Sequence, residues 1–393
     1  MSVAREIPSC RPTATSLAIA GSASVATAFG MARYGYGLLL PDIKHSLALG
    51  ETELGAIGTL AYVTYIAAAV LVDPSVRRFG ARRTVIAGGT LGIAGTAIIA
   101  VSSGALSLAA GVGVAGASAG LVYPPFAETL RELPDPSRSR ALASINCGTG
   151  WGVAVAAPIA IVAADSWRLA YVGFAVCVWL STMYAARTLP AAAPDAAASL
   201  GRGVRLPRVR RLAPGARRVI VGAFLIGLGS GAFWTFAVQD VRAAGLDITA
   251  GRALLGLAGV GSLVGVGAAD LIGRLGLLKT YLACALLEAA STAAVATFPS
   301  TLGVVLVSAF AFGVSYNVAV TASVLSLTRL HPQRPTAAVA LIAGANAIGL
   351  LFSPLTGAAL STQVGLGTTL ACGAGVLLAA AVGAPTDRPR ATA

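Results

Sequence analysis

The sequence predicts an all-α protein that crosses a membrane twelve times. Of its 393 residues, 56% are apolar and only 11% are charged, and the mean hydropathy is +0.81. So few charges cannot cover a water-soluble surface, and the charge-free stretches have the length of a bilayer crossing. Because these stretches are continuously apolar and do not alternate, they favour helices over the strands of a β-barrel.

The charge-free intervals set the number of helices. Six intervals fit one crossing each: 12–32, 54–72, 141–164, 169–186, 219–239 and 253–269. Three more are about twice as long, the second being interrupted only by Glu288: 84–127, 280–328 and 335–386. A crossing takes ~20 helical residues, so each long interval must hold two helices joined by a polar hinge. The hinges are expected at Ser102–Gly104, Pro299–Thr301 and Ser361–Gln363.

The placement of arginine predicts the orientation. If the N-terminus is cytoplasmic, most basic residues fall on the cytoplasmic side, and the other side holds only Lys44, Arg168, Arg242 and Arg252. This bias follows the positive-inside rule, so we expect a multi-pass protein of the cytoplasmic (cell) membrane with both termini in the cytoplasm. The net charge of +13 then requires no nucleic-acid partner, because the same bias and the anionic inner-leaflet lipids account for it.

The two parts of the chain resemble each other. Arg78 matches Arg274 and Gly80 matches Gly276, and in each pair the positions are 196 apart. Several further matches at the same offset, in equivalent loops and spans, indicate an internal duplication. The predicted units are an N-terminal six-helix half, a basic cytoplasmic linker and a C-terminal six-helix half, over residues 1–189, 190–216 and 217–393.

Two six-helix repeats joined by a basic loop resemble the major facilitator superfamily of secondary transporters over essentially the whole chain. The most specific local match is Arg-Arg-Phe-Gly-Ala-Arg-Arg at 77–83, which is similar to the superfamily's loop motif G-x-x-x-D-R-x-G-R-R. Arg77 occupies the acidic position of that motif, and Asp73 stands where its first glycine would be. The segment 33–41 resembles a bacterial branch related to the cyanate permeases.

The resemblance implies that charged residues at the cytoplasmic ends of the spans control gating. The expected gating residues are Asp73, Arg77, Arg78, Gly80, Arg82, Arg83, Asp270 and Arg274. The acidic residues among them, together with Glu128, are expected to contact loop arginines and hold the two halves together, and substrate binding is the alternative. Such contacts can shift the balance between inward-open and outward-open states by a few kcal/mol.

Arg33 is a charge inside the first span. A charge in hydrocarbon costs ~2.5–3.5 kcal/mol on insertion scales, so it requires an explanation. Arg33 lies eight residues before Pro41, about 12 Å from the outer end of its span. It is expected to bind a carboxylate or similar small anion through its planar donor fork, because no acid shares its part of the membrane. The alternative is a structural arginine that reaches the interface or backbone carbonyls.

Glu288 is the second buried charge, midway through the ninth span. Two interpretations stay open for it. Glu288 could carry coupled protons, or it could be a protonated or hydrogen-bonded carboxyl with a structural role. The resemblance bears on this choice, because the corresponding helix of the superfamily usually supports the outside of the bundle.

The first, fourth, seventh and tenth helices line the central cavity in the superfamily. The resemblance therefore adds aromatic and amide side chains to Arg33 as candidate substrate-binding residues: Tyr36, Tyr123, Trp234, Tyr316 and Asn317. For each of them, an interhelical hydrogen bond or a position at the membrane interface is the structural alternative.

Motifs for nucleotide, metal and nucleophilic chemistry are missing from the sequence. Neither Lys44 nor Lys279 follows a glycine, so there is no phosphate-binding G-K-[ST] loop. The five cysteines have neither a zinc-binding spacing nor a plausible disulfide framework. We therefore expect no enzyme activity, no cofactor and no bound metal.

The sequence thus predicts a secondary active transporter that moves a small solute by alternating access. The preferred substrate is a small organic or inorganic anion held by Arg33. The alternative is a proton-coupled efflux pump for a drug-like or secondary metabolite, in which Arg33 is structural and the aromatic residues contact the substrate. The expected partners are the small-molecule substrate, the lipid bilayer and coupled protons, and the expected working unit is a monomer.

Overall fold

The computed structural model describes residues 13–163, 166–190 and 215–385, and these form twelve helices long and apolar enough to cross a bilayer. The predicted number of spans is therefore confirmed. The helices, named α1 to α12, are Ala14–Arg33, Thr52–Phe79, Ala81–Ala100, Ala105–Thr129, Asp135–Ala160, Trp167–Thr188, Ala216–Ala243, Thr249–Leu275, Leu277–Thr297, Leu302–Leu330, Pro335–Val364 and Leu366–Gly383. The described ranges contain no strand. Most of the predicted linker lies outside the described residues.

Helices joined by short connections run antiparallel, so the loops fall into two groups at opposite ends of the bundle. We call the end with the α2–α3, α4–α5, α8–α9 and α10–α11 connections the arginine-rich end. The other end holds the α1–α2, α3–α4, α5–α6, α7–α8, α9–α10 and α11–α12 connections. Each half is defined by its helices, α1 to α6 and α7 to α12.

The internal duplication is visible in the backbone. Gly80, between α2 and α3, has φ 84° and ψ 161°, and Gly276, between α8 and α9, has φ 85° and ψ 160°. A side chain would make this conformation strained, so both connections depend on glycine. Pro158 and Pro354, another pair at the same offset, lie inside α5 and α11. The two halves therefore share local geometry at positions matched by sequence.

The same helix pairs also meet in both halves. Helix α1 packs against α5, and α7 packs against α11. A Cβ atom on Gly152 would clash with the carbonyl of Ala26, and one on Gly349 would clash with that of Phe224. Between the halves, α2 packs against α11 and α5 against α8. This pairing places the space between the halves at the centre of the bundle.

Two of the three predicted hinges are confirmed. Ser102–Gly104 lies between α3 and α4, and Pro299–Thr301 lies between α9 and α10. The third prediction is wrong, because Ser361–Gln363 belongs to α11, which continues to Val364. The chain turns at Gly365, whose φ of 85° suits glycine, whereas Thr362 satisfies its hydroxyl within the helix by donating to the Ala359 carbonyl at 2.9 Å.

Helix α1 changes from α-helical to π-helical geometry in its second half. Ala26–Arg33 is π-helical, and the Tyr34 amide donates to the carbonyl of Phe29 at 2.9 Å. The chain then continues as two short helices, Gly35–Leu38 and Leu40–Leu47. The wider turn brings residues five apart onto neighbouring positions, and π-helical turns of this kind are frequent at functional sites.

Candidate functional site

A cavity lies between the two halves at the middle of the bundle. It is lined by α1, α2, α4, α5, α10 and α11 through Phe29, Arg33, Tyr34, Tyr65, Tyr123, Asn146, Thr149, Tyr316, Asn317, Val320, Val324, Ala343, Asn346, Ala347 and Leu350. Tyr65 is residue 14 of the 28 in α2, and Tyr316 is residue 15 of the 29 in α10. At ~1.5 Å of rise per residue, both are near mid-membrane depth. The cavity therefore occupies the centre of the protein.

Arg33 is the charged side chain of the cavity. It is only 6% exposed, and its guanidinium carbon lies 4.2 Å from the ring centroid of Tyr62 and 4.5 Å from that of Tyr65. The rings of Tyr34 and Phe29 follow at 5.3 and 5.8 Å. Two of its nitrogens, Nε and Nη2, are buried without a hydrogen-bond partner. An aromatic cage therefore surrounds a cation that has unused donors.

The charge of Arg33 cannot be removed by deprotonation, because guanidinium stays protonated in proteins. Among the described residues, none of the ion pairs involves Arg33. Cation–π contacts contribute about 0.5–2 kcal/mol each, less than the several kcal/mol that desolvation of an ion costs. An anion in the cavity would supply both the missing charge and the missing acceptors.

Four of the six predicted substrate-binding residues line this cavity: Arg33, Tyr123, Tyr316 and Asn317. Tyr36 does not, because its hydroxyl donates to the Leu54 carbonyl at 2.9 Å and its ring is buried against α2. A regular α-helix would place residues three apart, such as Arg33 and Tyr36, on one face. The π-helical turn puts Tyr34 in the cavity instead.

Trp234 lies beside the cavity in an aromatic cluster that joins the halves. Its ring stacks on Tyr34 of the other half, with centroids 6.5 Å apart and an interplanar angle of 18°. It also meets Phe312 and Tyr316 edge-on at 5.4 and 6.2 Å. This cluster connects α7 and α10 to the chain that follows α1.

Amide side chains in the cavity lining bridge the halves. Asn146 of α5 donates through Nδ2 to Thr321 Oγ1 at 2.9 Å and to Asn317 Oδ1 of α10 at 3.2 Å. Within the second half, the Tyr316 hydroxyl donates to Asn346 Oδ1 at 3.0 Å. The bridge therefore joins residues of the cavity lining across the interface between the halves.

Two ion pairs join the halves at the arginine-rich end. Arg334, at the start of α11, donates to Asp73 of α2 at 2.5 Å. Arg140 of α5 donates to Asp270 of α8 at 2.8 Å. The two pairs connect equivalent helices in the two halves, α2 with α11 and α8 with α5. Asp73 and Asp270 thus contact arginines of the opposite half, as predicted.

A third pair at this end joins Arg329 of α10 to Asp135 of α5 at 3.3 Å. Asp135 also binds Arg138 at 2.7 Å, one turn along α5. His331 lies nearby in the α10–α11 connection, where burial and the adjacent Arg334 cation lower its pKa. Both effects favour the neutral form of His331.

The remaining predicted gating residues lie around these pairs. Arg77 contacts Asp73 within α2 at 3.4 Å, Arg78 covers the ring of Phe79 at 5.3 Å, and Arg82 donates to the Ala186 carbonyl at 2.7 Å. Arg83 and Arg274 are exposed, and Gly80 forms the turn. Glu128 pairs instead with Arg131 of its own half at 3.3 Å, so the contact between the halves predicted for it is wrong.

The opposite end also carries contacts between the halves. Arg252, at the start of α8, lies 4.0 Å from Asp42 in the short helix that follows α1. Tyr34, whose ring stacks on Trp234, comes between Arg33 and Asp42 along the chain. Contacts between the halves therefore occur on both sides of the cavity.

Glu288 is fully buried and lies outside the cavity lining. Its Oε1 lies 2.6 Å from the Ser230 hydroxyl of α7, and its Oε2 has no hydrogen-bond partner. The Ser230 hydroxyl also contacts the Ile226 carbonyl. One hydroxyl has one proton, so it cannot donate to both oxygens. A protonated Glu288 that donates to Ser230 completes the arrangement.

Sequence reasoning did not single out Phe29 or the arginines that pair between the halves, Arg140, Arg329 and Arg334. The arginine-rich end holds many arginines, and no sequence pattern indicated which of them would pair with an acidic residue. The signal for Phe29 was its five-residue spacing from Tyr34, which matters only in a π-helical turn.

Comparisons with known proteins agree with this architecture. The human organic anion transporter MFSD10 (TETRAN) superposes with a TM-score of 0.72 and 16% identity, over 95% of this chain and 99% of that one. The Major Facilitator Superfamily transporter FucP, in the outward conformation, gives a TM-score of 0.68 and 16% identity, over 92% and 97%. At this identity the similarity shows the fold alone. No curated protein sequence matches significantly.

The sequence itself matches a family model. Residues 23–277, well over half of the chain, match the model of the Major Facilitator Superfamily. The matched range begins in α1 and extends through α8 to the start of α9, so it includes the loop motif at 77–83 and the matching positions Arg274 and Gly276. The similarity of 33–41 to the cyanate-permease branch stays a prediction. The twelve-helix fold and the family match lead to one conclusion: the chain belongs to the Major Facilitator Superfamily.

Proposed function

We propose that this protein is a secondary transporter of the cytoplasmic membrane that moves a small anion down the gradient of that anion. The observation that carries the proposal is the state of Arg33: a permanent cation, buried at the central cavity, with two unused donors and no acidic partner in the described residues. A bound anion would neutralise the charge of Arg33 and accept hydrogen bonds from its unused donors.

Alternating access is supported by the contacts on the two sides of the cavity. Ion pairs between the halves lie at the arginine-rich end, and the Tyr34–Trp234 stack with the Asp42–Arg252 pair lies at the other. Breaking one set while keeping the other would open the cavity to one side of the membrane. Following the positive-inside rule, we propose that the arginine-rich end faces the cytoplasm.

The proposed driving force is the gradient of the anion. A proton carrier must exchange its proton during the transport cycle, whereas Glu288 is fully buried and lies outside the cavity lining. This position favours a proton that Glu288 keeps throughout the cycle. Proton coupling through Glu288 stays the alternative and is measured by the same experiment.

The test is anion uptake by purified protein in liposomes, with and without an imposed pH gradient. Labelled acetate and benzoate are the probes, and Arg33→Gln is compared with Arg217→Gln, an exposed arginine at the start of α7. We expect saturable uptake that Arg33→Gln reduces about 100-fold, while Arg217→Gln transports normally. The charge-assisted bonds of a buried arginine contribute about 3 kcal/mol, which corresponds to this factor.

Undiminished anion uptake by Arg33→Gln would overturn the proposal. Efflux of a drug-like compound that requires a pH gradient and the aromatic residues, with no effect of Arg33→Gln, would support the efflux pump instead. Uptake that the pH gradient alone drives, and that Glu288→Gln abolishes, would assign the proton-carrier role to Glu288.

A further inference from the structure

The residues that line the cavity also indicate the shape and charge of a ligand that would fit it. We propose that the substrate is a monocarboxylate with a flat, aromatic body. This inference rests on the proposed function and narrows "small anion" to one chemical class. Three features carry it: the geometry of the unused donors, the number of charges in the cavity, and the state of the rings and amides around them.

The unused donors of Arg33 form one edge of the guanidinium. The Nε–H bond and one Nη2–H bond point in the same direction within the plane of the group, so this edge can donate two parallel hydrogen bonds. A carboxylate accepts both bonds at once in the bidentate geometry. Both atoms are buried without a partner, while the rings of Tyr62 and Tyr65 lie close to the guanidinium carbon. The edge therefore lacks the planar, two-oxygen acceptor that suits it.

The charges in the cavity favour a single negative charge on the substrate. Arg33 is the one ionised side chain among the residues that line the cavity in the described structure, and no lining residue is acidic. A monoanion balances this charge. A dianion would leave its second charge among apolar and aromatic atoms, where an unpaired charge is strongly unfavourable.

The walls favour a flat ring. Five aromatic side chains line the cavity: Phe29, Tyr34, Tyr65, Tyr123 and Tyr316. Phe29 and Tyr65 already meet edge to face, with centroids 5.6 Å apart. Aromatic rings prefer such edge-to-face and offset-stacked neighbours, and this preference adds to the gain from apolar burial. A saturated ring of the same size would obtain the burial without the ring–ring contacts.

The amides argue against a polyhydroxylated ligand. Asn146 donates to Asn317 and Thr321, and Asn346 accepts from Tyr316 and donates to the Ala223 carbonyl at 3.4 Å. These groups are thus occupied with one another. A sugar acid would bring several hydroxyl groups into the cavity and would have to break these bonds to satisfy them.

The test is calorimetric titration of the purified full-length protein in lipid nanodiscs with a matched set of ligands. Benzoate is the reference compound. Cyclohexanecarboxylate keeps the charge and size but lacks the flat ring, terephthalate adds a second charge, benzamide removes the charge, and gluconate replaces the ring by hydroxyl groups. Acetate measures the carboxylate alone.

We expect benzoate to bind at least fivefold more tightly than cyclohexanecarboxylate and at least tenfold more tightly than acetate, terephthalate, benzamide or gluconate. Arg33→Gln should remove the preference of benzoate over benzamide. If acetate, gluconate and cyclohexanecarboxylate bind as tightly as benzoate and Arg33→Gln weakens them all, the inference fails and the proposed function stands. If Arg33→Gln changes the affinity of none of the anions, both fail.

Tyr65 supplies a second test that a general loss of structure cannot imitate. Tyr65→Phe keeps the ring and Tyr65→Leu removes it, and the measured quantity is the ratio of benzoate to acetate affinity. We expect Tyr65→Phe to keep this ratio and Tyr65→Leu to lower it about fivefold while acetate binding persists. An unchanged ratio in Tyr65→Leu would overturn the aromatic part of the inference.

Discussion

Arg33 and Glu288 are ionisable side chains buried near the middle of helix bundles, one in each half, and they are accommodated in different ways. Arg33 is surrounded by four aromatic rings at the cavity and keeps two donors without partners. Glu288 lies outside the cavity lining, where its Oε1 is 2.6 Å from the Ser230 hydroxyl. Arg33 thus keeps unused donors beside a cavity, whereas Glu288 has one carboxyl oxygen in contact with a hydroxyl.

The difference follows from proton chemistry. A carboxyl group becomes neutral by binding a proton, so burial alone can be tolerated once a hydrogen bond is made. A guanidinium group has no such route, because it remains protonated in proteins. A buried glutamate is therefore weak evidence for a binding site, whereas a buried arginine without an acid is stronger evidence for one. The comparison predicts opposite effects of mutation on stability.

The largest expected effect is at Glu288. Glu288→Ala should lower the free energy of unfolding by about 2–3 kcal/mol, because it leaves a cavity and an unpaired Ser230. Glu288→Gln should cost less than about 1 kcal/mol, since an amide can also donate to Ser230. Equilibrium unfolding in mixed detergent micelles measures both. If the glutamine variant is as unstable as the alanine variant, Glu288 is ionised, and the proposed difference between Glu288 and Arg33 is wrong.

Replacing Arg33 should change the free energy of unfolding in the opposite direction. In the absence of ligand, Arg33→Gln is expected to raise the free energy of unfolding by about 1–2 kcal/mol, because it removes a buried charge that lacks a partner. Benzoate should raise the melting temperature of the wild type and leave that of Arg33→Gln unchanged, because ligand that binds only the folded state stabilises it. A ligand-free variant that melts well below the wild type would show that Arg33 is structural.

The smallest effects are expected at the ion pairs between the halves, where each charge already has a fixed partner. Asp73 is 9% exposed and Arg334 is 37% exposed, whereas Arg140 and Asp270 are 63% and 51% exposed. Double-mutant cycles of unfolding, with neutral Asn and Gln replacements, should give about 1 kcal/mol for Asp73–Arg334 and about 0.3 kcal/mol for Arg140–Asp270, because water screens exposed pairs. Equal coupling energies would show that burial does not set the strength.

The parts of the fold predicted from sequence depend on spacing along the chain. Charge-free length predicted twelve helices, and the fixed offset between Gly80 and Gly276 predicted two matching connections, whose φ and ψ angles agree within a degree or two. The third hinge was misplaced because Gly365, and not the polar residues before it, ends α11. A single glycine indicates the end of a helix less clearly in a sequence than three consecutive polar residues do.

The site was predicted only in part, because spacing along the chain indicates some of its residues and not others. Arg33 stands out in any sequence because a charge inside a span is rare, and the structure places it at the cavity. Tyr36 was expected at the cavity because the first helix lines the cavity in the superfamily, whereas the π-helical turn over Ala26–Arg33, in place of a regular helix, puts Tyr34 there. The choice between these two winding modes depends on packing, including the contact of Gly30 with Gly152 of α5.

The sequence by itself determined that the chain is embedded in lipid, that it has twelve helices in two related sets, and that one permanent charge lies among them. These properties follow from composition and periodicity, which each segment carries independently of its neighbours. Only the tertiary structure decided which rings surround Arg33, that Glu288 faces Ser230 away from the cavity, and which arginines meet Asp73 and Asp270. Those contacts join residues up to 261 positions apart, and only the packing of the helices brings such residues together.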